Sequence, residues 1–136
     1  MKIESHLENL KESIAEIDEA IKKGITSKQR TIGFHSSAAV VDMMEIYLHK
    51  KNFITYDHLI KHEWFLSKKK LSEKIPYDFE NKEEILNLIR SIEEKRNTLC
   101  YGRRQPEEIL EKIILDFNKL KKLFISLGLN EIEELK

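Results

Sequence analysis

Residues 83–108 read EEILNLIRSIEEKRNTLCYGRRQPEE, and their spacing decides the fold. Ile85, Ile89, Ile92, Arg96 and Leu99 follow one another at intervals of 4, 3, 4 and 3, which is one stripe of an α-helix. The stripe is apolar except at Arg96. A guanidinium in line with isoleucines and a leucine must be paired or must line a cleft, because an unpaired buried charge is strongly destabilising. Gly102 follows as a helix stop. Arg103 and Arg104 then bring cations to the C-terminal end, where the helix dipole favours them by ~0.3–1 kcal/mol each. Asn97 lies beside Arg96, and Tyr101 lies five residues beyond it. Pro106 is an N1-type proline with Glu107 and Glu108 behind it, so a new helix starts there after a short turn.

The flanking sequence predicts three more long helices. Helix one spans about Lys2 to Lys23, with Ile3, Leu7, Leu10, Ile14, Ile17 and Ile21 as a heptad seam and Gly24 as its end. Helix two runs from a cap at Thr26 or Ser27 to about Lys51. It is apolar round most of its circumference, as a central helix or one shared with another subunit would be. Phe34, Ala38, Val41 and Leu48 share one face, and Val40, Met44 and Tyr47 another. His35, Asp42, Glu45 and His49 form its single polar stripe, read as facing a partner or solvent. Helix three is the opening segment, capped by Asn81. Helix four starts at Pro106 and ends at Gly128, before a short acidic tail that frays. Residues 52–82 form a long irregular connection in which Thr55–Leu66 and Ser67–Ile75 can hold short helices and Tyr77 and Phe79 can anchor the chain to the core. The expected fold is all-α: an up-and-down four-helix bundle with a long irregular connection between helices two and three, as one domain over residues 1–136.

Composition narrows the function classes. There are 24 basic and 24 acidic residues, so bulk charge gives no argument for nucleic acid or membrane, and any nucleic-acid site is a local patch. One cysteine, Cys100, excludes an internal disulfide framework and suits a reducing cytosol. No apolar run approaches ~18 residues, and the acidic start MKIESHLENLKE is not a signal peptide, so a cytoplasmic protein is expected.

With Arg96 and Asn97 on the third of four helices, the chain resembles the HEPN superfamily of small helical domains. In that family the third helix carries an arginine, a polar residue directly after it, and a histidine four to six positions from the arginine. Arg96 and Asn97 match the first two. Tyr101 stands where the histidine is expected, and the YGRR continuation resembles members in which tyrosine and glycine close the helix. The resemblance implies a homodimer through helices two and three. It also implies binding of RNA or a nucleotide, or metal-independent ribonuclease activity with no cofactor, and a toxin–antitoxin pairing with a minimal nucleotidyltransferase.

Metal-free RNA cleavage needs a base, an acid and a cation near the phosphorane. Arg96 can supply the cation and a bidentate phosphate grip, and Asn97 can orient it. A phenol ordinarily keeps its proton to about pH 10, so tyrosine in the histidine's place argues against ordinary ribonuclease activity. His35 can replace the missing imidazole if helix two faces helix three across the cleft; otherwise it is a buried histidine satisfied by a neighbour. Arg103 and Arg104, with Asp42 and Glu45, are the candidate substrate-binding residues. Equally, Asp42 or Glu45 can form a structural ion pair with Arg96, which leaves a helical interaction or scaffold protein. Glu45 and His49 are one turn apart, but no second such pair exists on helices one, three or four, so no metal is expected. His58 and His62 read as loop surface, and Lys68, Lys69 and Lys70 with Lys61 and Trp64 read as either a solvated basic face or a local nucleic-acid patch.

Overall fold

The computed structural model describes residues 1–135. It is all-α. The helices are α1 (Ile3–Lys23), α2 (Gln29–Lys50), α3 (Lys68–Lys74), α4 (Lys82–Tyr101), α5 (Glu107–Ser126) and α6 (Glu131–Glu134), with 3₁₀ turns at Ile25–Lys28 and His62–Leu66. The helices expected as three and four are α4 and α5. No described helix is long and apolar enough to cross a membrane.

α2 is the centre of the molecule. It packs on α1, α4 and α5, and from Ala39 to His49 every side chain is buried. That wrapping explains its all-round apolarity within one chain, so the composition of helix two no longer calls for a second subunit. Its approach to α4 is very close. A Cβ built on Gly33 would lie 2.5 Å from Leu99 Cβ, so only glycine permits this spacing. No side chain caps the start of α2: Ser27 turns back to the Gly24 carbonyl instead. Asn52 ends it, in the left-handed region at φ 59°, with the Phe53 amide donating to the Leu48 carbonyl at 2.9 Å.

The buried face of α1 is rotated from the heptad seam. His6, Leu10, Ser13, Ile14, Ile17 and Ala20 are buried, while Ile3 and Leu7 are half-buried and Ile21 is exposed. Ser13 and Ala20, seven residues apart, are small enough to draw α1 in against α2 along a column that His6 begins.

On α4, Ile85, Ile89, Ile92 and Leu99 are buried as their spacing requires, and Arg96 is half-buried. Asn81 precedes the helix in the left-handed region at φ 60° and makes no side-chain cap. The turn into α5 is pinned by Gln29, 1 % exposed. Its amide donates to the Leu99 and Arg103 carbonyls at 3.3 and 2.9 Å, and its Oε1 accepts from the Gln105 amide at 2.7 Å.

The connection from 51 to 81 is packed. Ile54, Ile60, Trp64, Phe65, Leu71 and Ile75 join the core, and Phe53 stacks on Tyr77 at 4.6 Å. Each large apolar side chain buried there contributes about 1.5–3 kcal/mol. Only His62–Leu66 of the expected Thr55–Leu66 helix forms, as a 3₁₀ turn; α3 matches the second expected helix, with Ser67 Oγ accepting from the Lys70 amide. The acidic tail is not frayed: Leu129 and Ile132 are buried, and Lys50 Nζ meets Glu131 Oε1 at 2.6 Å. Lys136 lies outside the described residues.

Candidate functional site

A cleft of about 500 Å³ opens between α2, the connection and α4. Glu93, Arg96 and Asn97 of α4 form one wall, Leu59 to Glu63 and Leu66 the other, and Glu45 of α2 reaches it from behind. Helical spacing puts Glu93 and Arg96 on one side of α4, three residues apart. The folded connection, held by Ile60, Trp64 and Phe65, brings His62 across to meet Glu93.

Every buried acid of this cleft is engaged. The Glu93 side chain is 2 % exposed, and its Oε1 accepts from Ser37 Oγ at 2.8 Å and meets His62 Nδ1 at 2.8 Å. Because the carboxylate accepts, Nδ1 carries the hydrogen, and Nε2 is the nitrogen left over. The His62 side chain is 38 % exposed, open enough to meet a ligand. Glu45 Oε1 accepts from the Ile60 amide at 2.7 Å, which ties the connection to α2. Arg96 differs: among the described residues it has no hydrogen-bonded or ion-paired partner. The structural ion pair with Asp42 or Glu45 does not form.

Those two carboxylates belong to His6. Its Nδ1 lies 2.8 Å from Asp42 Oδ1, and its Nε2 lies 2.9 Å from Glu45 Oε2, close but off the best hydrogen-bond direction. Burial alone would lower the His6 pKa, but the hydrogen bonds and charges of Asp42 and Glu45 outweigh it and raise it from 6.5 to about 9. Burial pushes the Asp42 carboxyl up against the opposing pull of His6. His49 stands next to His6, ring centroids 5.8 Å apart, and burial and the His6 charge lower its pKa. The polar stripe of α2 therefore faces α1, not solvent or a partner, and Asp42 is 9 % exposed. His6 supplies the ligand-type residue on helix one that the sequence reading lacked. Its donor atoms and those of Asp42 and Glu45 lie within 4.8 Å of one another, a set of metal-ligand types. Both His6 nitrogens are already turned to carboxylates, so the cluster reads as an imidazolium clamp between α1 and α2.

The four residues expected to act together divide. Arg96 and Asn97 line this cleft. His35 and Tyr101 line a different hollow with Arg30, Thr31, Phe34 and Cys100. His35 Nδ1 is 3.1 Å from Ser13 Oγ, so helix two does not present His35 to Arg96. Arg103 and Arg104 are exposed in the turn and line neither hollow. The imidazole that lines the cleft with Arg96 is His62, read from sequence as loop surface. His58 does not pair with it and packs near Trp64, ring centroids 6.4 Å apart. Trp64 is buried and cannot serve as a stacking surface for a basic patch at Lys68–Lys70. A larger hollow of about 1170 Å³ between α3, α4 and α5 contains none of the expected site residues.

Compared with known proteins, the chain matches no family model, no curated protein and no solved structure.

Proposed function

We propose that this chain is a HEPN-like domain, an up-and-down bundle of α1, α2, α4 and α5, that binds RNA or a nucleotide through the Arg96 cleft. The observation that carries this is Arg96 itself, a half-buried guanidinium with no ion-paired partner among the described residues, in a cleft whose buried acids Glu45 and Glu93 are engaged by His6, Ile60, His62 and Ser37 and whose third, Glu63, is exposed. A planar cation left unpaired in a cleft suits a phosphate, which it can grip with two hydrogen bonds. Asn97 beside it can bond a second phosphate oxygen or a ribose hydroxyl. His62, oriented by a buried carboxylate, has the arrangement used for proton transfer, so the cleft holds an imidazole even though Tyr101 replaces the motif histidine. Binding is the conclusion, and cleavage is assayed beside it.

The resemblance also supports a cytosolic toxin–antitoxin setting with a nucleotidyltransferase partner and a homodimer. Neither partner draws support from the stretch of α2 between Ala39 and His49, whose side chains are all buried within the chain. Light scattering tests the dimer.

Fluorescence anisotropy of a labelled single-stranded RNA at low salt tests the site. Arg96→Ala should weaken binding by about tenfold or more, as loss of a charged hydrogen-bonded contact worth about 1.5–3 kcal/mol implies, while circular dichroism stays unchanged. Affinity equal to the parent's would show that Arg96 does not hold the RNA, and a parent that binds no RNA at low salt would transfer the chain to the class of helical interaction proteins. Incubation of the metal-free protein with mixed RNA tests cleavage, with His62→Ala as the comparison.

A further inference from the structure

The hollow that holds Tyr101 differs electrostatically from the other two. It is an open hollow of about 390 Å³, and no acidic residue lines it. The Arg96 cleft has Glu45, Glu63 and Glu93 on its walls, and the largest hollow has Asp78, Glu83, Glu84 and Asp116. Two aromatic rings open onto the small hollow and stay in water: Phe34 is 49 % exposed and Tyr101 75 %. Phe34 is set edge-on to the His35 ring at 5.0 Å and 86°, and His35 is held in turn by Ser13. Arg30 stands beside the rings with no carboxylate partner among the described residues. Arg103 and Arg104 follow Tyr101 on a turn whose backbone Gln29 fixes, so two more exposed cations sit close in sequence to the rings.

Flat rings left in water beside cations without counter-charge suit a ligand that is both planar and anionic. A nucleotide is such a ligand: its base stacks on the ring and its phosphate meets the guanidinium. We propose that Arg30, Phe34 and Tyr101 form a nucleobase-and-phosphate site for single-stranded RNA. The two hollows share no lining residue, although Cys100 on this one lies a single turn past Arg96, so the site adjoins the Arg96 cleft without depending on how that cleft is read. Stacking accepts any base, so the site binds strands with little sequence preference.

The test is anisotropy with a fluorescein-labelled oligouridylate of about eight nucleotides, long enough to occupy one such site. Tyr101→Ala and Arg30→Glu change exposed side chains and should each weaken binding by about tenfold in the Arg96→Ala background, where this site alone is left to hold the oligonucleotide. Arg30→Glu should also flatten the dependence of affinity on salt. Unchanged affinity in both variants overturns the site, and leaves the Arg96 cleft standing if Arg96→Ala alone weakens binding. Absence of oligouridylate binding by the parent overturns it as well. Multi-angle light scattering on the same samples supplies the last arm. If the parent has twice the chain mass and Tyr101→Ala halves it, a second copy covers these rings and the site is overturned. A mass unaffected by Tyr101→Ala, with weakened binding, supports it.

Discussion

Replacing His6 by glutamine should remove a pH-dependent part of the stability whose size follows from the geometry. The imidazole is buried between Asp42 and Glu45, and its pKa rises from 6.5 to about 9 on folding. The folded state thus holds a proton that the unfolded chain releases. Below about pH 6.5 both states are protonated and the stabilisation is complete. Between about pH 6.5 and 9 the unfolded chain loses its proton first, so stability falls; above about pH 9 the contribution is gone. At about 1.36 kcal/mol per pKa unit, the difference amounts to roughly 3 kcal/mol, a large share of the ~5–15 kcal/mol that holds a typical domain together. His6→Gln also strips two buried carboxylates of their cation, at a cost of roughly 3–5 kcal/mol near neutral pH. Urea unfolding followed by far-UV circular dichroism at about pH 6 and about pH 9.5 reads both effects. The parent should lose stability between the two, and the variant should be weaker at the lower pH and nearly flat. A parent curve that is flat across this interval, or a variant that keeps the parent's slope, refutes the protonated clamp.

Two further substitutions test the packing that positions the cleft. Gly33→Ala puts a methyl 2.5 Å from Leu99 Cβ, so α2 and α4 must separate. The overpacking cost of about 1–3 kcal/mol should exceed the ~1 kcal/mol gained in helix propensity, and thermal unfolding should come earlier. Gln29→Ala leaves the Leu99 carbonyl and the Gln105 amide without their partner and the Arg103 carbonyl with only the Gln105 side chain. It should cost about 1–3 kcal/mol and speed hydrogen exchange at the Gln105 amide, whereas an unchanged exchange rate there would show that the turn holds without it.

The long helices were legible because their burial follows local periodicity. The stripe of α4 and the apolar circumference of α2 are each written within some twenty consecutive residues, and both helices end within two residues of the expected places. The rotation of α1 was not legible from its aliphatic residues, since small side chains set how closely it lies on α2. The signal was present in the His6–Ser13–Ala20 column, seven residues apart and all buried, beside the seam of larger residues. At the site, Arg96 and Asn97 were found because a charge on an apolar stripe is a local anomaly. His62 was missed because its partner Glu93 is thirty-one positions away and nothing near His62 marks the pairing. Likewise Asp42 and Glu45 were assigned to a ligand or to Arg96 because sequence alone does not show that His6, on another helix, takes them both.

The Leu59–Leu66 wall of the cleft is borrowed: it comes from the connection, while Arg96 belongs to the scaffold of long helices. The two parts can therefore change at different rates. Exchanging Leu59, Lys61, His62, Glu63 and Leu66 would swap the imidazole and the rim together, while Ile60, Trp64 and Phe65 keep the segment seated in the core. A chain built this way can acquire a new ligand by rewriting five positions without having to solve its folding problem again.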